Sequence, residues 1–183
     1  MMASANDVAA YIIENCQSTI TGLKLQKLLY YSYAWHLVWD EERLFLEPIE
    51  AWALGPVVRA VYRNHRQESE EIESWSHGDH NRLTETERNS IDEVLEEYSE
   101  LGPFELSEIS HEEPPWLNAR GDTPAEKTSR ERIKDDDIRE YFRDIYNVEA
   151  DDAALAQEIA EGLATGLVGE EVVMETLQRS DGG

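Results

Sequence analysis

One cysteine, four lysines and a shortage of long apolar runs narrow the possibilities before any motif is read. Cys16 alone cannot close an internal disulfide, and the start MMASANDVAAYII lacks the basic head and continuous apolar stretch of a signal peptide. A reducing cytoplasm is the expected location. The longest nearly apolar stretch, Leu28 to Trp39, has twelve residues and includes Ser32 and His36, well short of the roughly 20 needed to cross a bilayer. It reads as a buried helix. The chain has no glycine-rich phosphate loop, no GxSxG elbow and no HExxH, so no cofactor, metal or catalytic motif is expected. Basic residues are scarce too, 16 Lys plus Arg against 40 Asp plus Glu. The formal charge of −24 repels nucleic-acid phosphates and anionic lipid heads alike.

What is present suffices for one core. The 183 residues are of single-domain size, and 40% of them are hydrophobic, which argues against disorder throughout. The carboxylates are spread from Asp7 to Asp181 rather than gathered in a block. That pattern fits a surface adapted to salt, where in about 1 M electrolyte the Debye length falls to about 3 Å, or a surface shaped for a basic partner. The even spread favours the first, and a salt-loving microbial host is expected.

Periodicity predicts a mainly α fold, a single compact helical domain around a central hydrophobic helix. Ser4 or Asn6 caps a first helix with Val8, Tyr11 and Ile12 on one face. Thr19 or Thr21 caps a second, in which apolar side chains from Leu25 to Val38 point in nearly every direction. A minor two-stranded β element is expected near residues 44–53, where Ile49, Ala51 and Ala53 alternate with Glu50 and Trp52. Pro56 is read as the first residue of a third helix, entered through Gly55, and residues 67–82 as a polar loop. Thr84 and Glu87 form a capping-box pattern ahead of Ile91, Val94, Leu95, Tyr98 and Leu101. A short helix follows from Pro103 to about Ser110. The stretch HEEPPWLNARGDTP is expected to turn over the surface, since paired prolines cannot continue a helix. Ile138, Tyr141, Phe142 and Ile145 mark a last core helix. The expected domain is residues 1–147, and residues 148–183 form an acidic C-terminal extension, helical around Leu155, Ile159, Leu163 and Leu167, with a second short helix over 170–178.

Few residues suggest chemistry. HGDH at 77–80 brings two histidines together but lies in a charged loop without a cysteine ligand, so a solvated loop is expected over a metal site. Cys16 beside Glu14 reads as an inert thiol. Arg59, Arg63 and Arg66 form a basic stripe, read as a solvent face laced to nearby acids. Lys24 and Lys27 sit at the head of the most aromatic segment, LKLQKLLYYSYAWHL, where the helix dipole disfavours cations by some tenths of a kcal/mol. On residues alone, pairing with internal carboxylates explains them; a strip with Tyr31 and Trp35 that recognises a partner is the alternative.

Three blocks in register, ITGLKLQKLLYYSYAWHL, LFLEPIEAWALGPVVRAVY and LSEISHEEPPWLNAR, resemble the Panacea domain, the SocA-like antitoxin family often labelled phage-associated. The resemblance covers about residues 7 to 147. It implies a helical, non-enzymatic domain that binds and neutralises a protein toxin encoded by a neighbouring gene, or an adaptor that delivers the toxin to a Clp-type protease. The family-motif positions it marks, as partner surface or core, are Lys24, Gln26, Lys27, Tyr31, Trp35, His36, Trp52, Gly55, Pro56, His111 and Trp116. Lys24 and Lys27 are the expected partner-facing pair, Trp35 and Trp52 are expected inside, and His36 and His111 have two readings, one polar cluster near Trp116 or, more commonly, hydrogen-bonded structural histidines. An enzyme using His36 or His111 as general base is the reading from another class.

Overall fold

The computed structural model describes residues 2–66, 71–124 and 127–164. Among them are seven α-helices and one two-stranded antiparallel sheet: α1 (Ala5–Asn15), α2 (Gly22–Trp39), β1 (Ile49–Trp52), β2 (Gly55–Val58), α3 (Arg59–His65), α4 (Glu85–Tyr98), α5 (Pro103–Glu112), α6 (Pro114–Arg120) and α7 (Asp135–Ala164). The fold is mainly α with a minor β element, as the periodicity predicts. The chain divides into two units, Met1–Phe142 and Arg143–Gly183.

Helix α2 is the axis of the first unit. Its fifteen buried residues out of 18 leave no wet face, so neighbours must surround it. They are α1, α4, α5 and the β-hairpin. Thr21 Oγ1 accepts from the Lys24 amide and starts the helix. Tyr30, Tyr31 and Trp35 on α2 meet Phe142 edge-on at 6.0, 6.2 and 5.2 Å between ring centres. Local caps set other helix ends. Ser4 with Asp7 opens α1, and Thr84 with Glu87 opens α4, each as a reciprocal capping box.

Three expectations are corrected. Gly55 and Pro56 do not begin a helix; they lie in β2, opposite Trp52 and Ala51, and α3 starts at Arg59. The sheet therefore lies a few residues later than the 44–53 estimate, closed by the two-residue turn Ala53–Leu54. The second edge of β1 is covered by the 131–133 segment, through Ala51 N to Glu131 O and Ile133 N to Ile49 O, both 2.9 Å. The paired prolines do not force a surface turn. Pro114 and Pro115 occupy the first positions of α6, where the missing N–H groups have no helical acceptor to lose. Finally, α7 runs unbroken through residue 147, because no glycine or proline interrupts residues 135–161. The expected helix at 170–178 lies outside the described residues. In the second unit the described side chains of α7 are mostly exposed, and Gln157 Nε2 donates to Glu161 Oε1 at 2.9 Å.

Candidate functional site

The two lysines that head α2 are inside the protein. Lys24 is 4% exposed and Lys27 0%, so the expectation that they face a partner is overturned. Lys24 Nζ donates to Ser18 Oγ at 2.9 Å and to the Ser99 carbonyl. Lys27 Nζ donates to the Pro56 carbonyl at 3.1 Å. Backbone oxygens and the Ser18 hydroxyl hold the two ammonium groups, and for Lys27 the buried Glu113 carboxylate adds its attraction. Such contacts are worth more where water is absent.

Lys27 belongs to a buried polar cluster drawn from three segments. Glu113, 3% exposed at the α5–α6 junction, accepts from Tyr30 OH at 2.8 Å and Tyr31 OH at 3.0 Å, one on each carboxylate oxygen. Burial pushes the Glu113 carboxyl up to about 7, against the lowering effect of the two phenols and of Lys27. Burial pulls the Lys27 ammonium down to about 7, against the pull of Glu113. Above them sits Gly55, with φ +99°, a conformation that side chains rarely adopt. A Cβ on Gly55 would stand 2.7 Å from Ser110 Oγ and 2.9 Å from Lys27 Cε, with Lys27 Nζ closer still. Glycine at 55 thus lets the hairpin close over the lysine.

A second set joins the start of α2 to the hairpin. Gln26 Oε1 accepts from the Val58 amide at 2.7 Å, and Gln26 Nε2 meets His65 Nε2 at 2.9 Å. Gly22 packs flat on the His65 ring, where a Cβ would lie 2.5 Å from Nδ1. Trp52 is half-buried rather than inside. Its ring meets Tyr62 edge-on at 4.7 Å, and its Nε1 donates to Glu50 at 2.7 Å. Gly22, Leu23, Gln26, Trp52, Ala53, Leu54, Val57, Tyr62, His65 and Thr128 enclose an apolar groove of about 430 Å³.

The remaining motif positions are structural neighbours of these sets. Trp116 Nε1 donates to the Trp52 carbonyl at 3.0 Å, and its ring stacks on His111 at 4.4 Å. The buried Arg120 guanidinium lies 4.6 Å over the same indole and donates to the Ala51 and Lys127 carbonyls at 3.0 and 2.6 Å. Burial lowers the proton affinity of His111, helped by the charges of Lys27 and Arg120. His36 is not part of this group: its Nδ1 is 2.9 Å from Ser90 Oγ and 2.9 Å from Asp40 Oδ2. Burial lowers its proton affinity although Asp40 opposes the shift. His36 and His111 do not meet in one cluster, since one faces α4 and the other the hairpin. Trp35 is inside as expected, 5% exposed, with Nε1 donating to Tyr98 OH at 3.2 Å. Tyr31 stacks on that same Tyr98 at 4.3 Å.

Sequence reading missed Glu113 and Arg120, and read His65 as part of the buried stripe of the third helix, where it is 4% exposed, without foreseeing its contact with Gln26. The available signal for Glu113 was an acid directly before Pro-Pro-Trp, hidden among forty acids. Among the described residues, no group of three or more His, Cys, Asp or Glu is placed to hold a metal ion, and no helix is long and apolar enough to cross a membrane. His80 instead sits 2.6 Å from Glu14.

The polar motif residues thus knit the interior of a helical domain, around a short hairpin locked over a buried lysine. The chain belongs to the family described as Antitoxin SocA-like, Panacea domain, which matches residues 25–117. That stretch holds the α2 core, the hairpin, Glu113 and Trp116; Lys24 falls just before it. No curated protein and no solved structure matches the chain.

Proposed function

We propose that this protein is an antitoxin-type binding module that neutralises the product of a neighbouring gene by direct contact. Membership of the antitoxin family over residues 25–117 carries the reading. The disposition of the motif side chains supports it. Lys27, Glu113, Tyr30 and Tyr31 are spent on one another and on backbone, each at 3% exposure or less, and do not line a cleft open to substrate. His36 is 4% exposed and held by Ser90 and Asp40, a poor position for a general base that must reach substrate.

Co-expression tests the proposal. The neighbouring gene product is expected to arrest growth alone and to be tolerated with this protein; equal growth arrest in both cases overturns it. Sequestration further predicts an unchanged half-life for the partner. A half-life that shortens only when a Clp-type protease is present points instead to the adaptor reading.

A further inference from the structure

The geometry points to the groove between the first turn of α2, the tip of the β-hairpin and α3 as the surface that grips the partner, and to a segment with apolar side chains next to Lys or Arg as what it takes. This rests on the protein-binding reading above and assigns it a place.

The groove is apolar where it is open. Leu54 at the hairpin tip is 56% exposed, and Leu23, Trp52 and Tyr62 are half-buried around it. An exposed leucine at a turn is ordinary alone. Here it stands on the rim of a concavity flanked by two aromatic rings, the setting in which interface anchors cluster. Ser107 Oγ donates to the Leu54 carbonyl at 2.9 Å and fixes the tip against α5. The tip is therefore pre-positioned, which lowers the ordering cost of binding.

The polar floor offers little to a small ligand. Gln26 Oε1 is taken by the Val58 amide, and Gln26 Nε2 by His65. A groove without convergent polar groups orients a ligand poorly, whereas apolar side chains of a protein need only shape.

Charge decides which segment. On the other side of the α2 N-terminus, Thr19, Thr21, Glu71 and Glu73 line a second depression of about 410 Å³. Thr21 belongs to the acidic depression and Gly22 to the groove, so the two adjoin. Ile72, buried between the two glutamates in sequence, is tied by its amide to the Ile20 carbonyl at 2.8 Å and anchors the backbone that carries them. The α3 wall and its C-cap carry Arg59, Arg63 and Arg66, of which Arg59 lies 4.0 Å from Glu50; against these the chain-wide charge of −24 and the adjoining Glu71 and Glu73 set the balance in favour of a basic segment.

The test uses the purified full chain and the purified neighbouring gene product, with affinity measured by calorimetry at about 50 and about 300 mM salt. Leu54→Asp is a turn-compatible change and is expected to weaken binding about 10-fold or more. Glu71→Gln with Glu73→Gln is expected to flatten the salt dependence. Leu46→Asp, at a 62% exposed leucine outside the groove, serves as control and should bind as the wild type does. Unchanged urea midpoints establish that the variants fold. If the wild type binds and protects while Leu54→Asp and the glutamine pair match it at both salts, the groove assignment is wrong and the antitoxin reading stands. If the wild type neither binds nor protects, both fall.

Discussion

Replacing Glu113 by Gln should change how stability depends on pH in a manner that isolates one buried carboxyl. In the folded protein that carboxyl is raised from 4.5 to about 7, chiefly by burial. Between those values the native state holds a proton that the unfolded chain has released. The resulting stability is complete below pH 4.5 and lost as pH rises to 7. The variant has no such group, so it gains on the wild type across this interval. The chain is near its isoelectric point of about 4.4 at the acid end, so measurement should begin at about pH 5. From there to pH 7, at up to about 1.36 kcal/mol per pH unit and less near each end, where one of the two states is only partly titrated, the relative gain is roughly 2 kcal/mol. Lys27 adds to it in the same direction, since without Glu113 its ammonium deprotonates at lower pH than about 7. Above pH 7 the two curves should run parallel. Urea unfolding at constant ionic strength, followed by circular dichroism, gives the difference curve, in which the other carboxylates cancel. Parallel curves from pH 5 to 7 would refute the assignment of a raised carboxyl to this position.

Three further substitutions test the local arguments. Gly55→Ala places a side chain at φ +99° and against Lys27 and Ser110, so a loss of about 2 kcal/mol or more is expected in the urea midpoint; an unchanged midpoint contradicts the packing argument. Thr84→Ala removes the α4 cap and should cost about 1 kcal/mol, with Thr84→Ser restoring most of it. Gly22→Ala drives a methyl into the His65 ring and should part it from Gln26, seen as faster amide exchange at Val58; unaltered exchange there counts against the Gln26 clamp.

What the sequence shows well is what neighbours in the chain decide. Ser4 with Asp7 and Thr84 with Glu87 close hydrogen bonds three residues apart, so their helix starts are legible by eye. The all-round apolar pattern of α2 likewise announces a central helix. The hairpin is different. Gly55-Pro56 satisfies the local rule for a helix start, yet pairing with Trp52 and Ala51, and a lysine 28 residues earlier beneath the glycine, make it a strand. The lysines themselves look misplaced by the helix dipole, because their acceptors, Pro56 and Ser99, are 29 and 75 residues away. The Pro114-Pro115 pair is open to two local readings, a break or a helix start. The capping carbonyl of Glu113, which accepts from Leu117 N at 3.1 Å, decides for the second. Of the candidate site, the motif positions were visible but their direction was not, since inward and outward lysines leave the same letters.

The buried cluster raises the question of why this interior keeps charge at all. A well-packed apolar pair of similar volume commonly matches or exceeds a buried ionic pair in stability. Lys27→Met with Glu113→Gln poses the question directly. The amide introduced by Glu113→Gln still offers Tyr30 and Tyr31 a polar partner on each branch, since a phenol can accept as well as donate. The thioether introduced by Lys27→Met fills the same space without desolvated charge. The double variant should therefore unfold at a urea concentration no lower than the wild type, and the two single variants should couple by about 1–3 kcal/mol. One group is left without its partner: the Pro56 carbonyl, which accepts from Lys27 Nζ. That loss is confined to the hairpin, so amides of residues 49–58 should exchange faster while α2 and α4 keep their protection. Global destabilisation with an unaltered hairpin would show that Lys27 serves the core and not the hairpin. Local loosening at constant global stability would show that the charge is retained to hold the hairpin tip in register, fixing the edge proposed above to meet the partner.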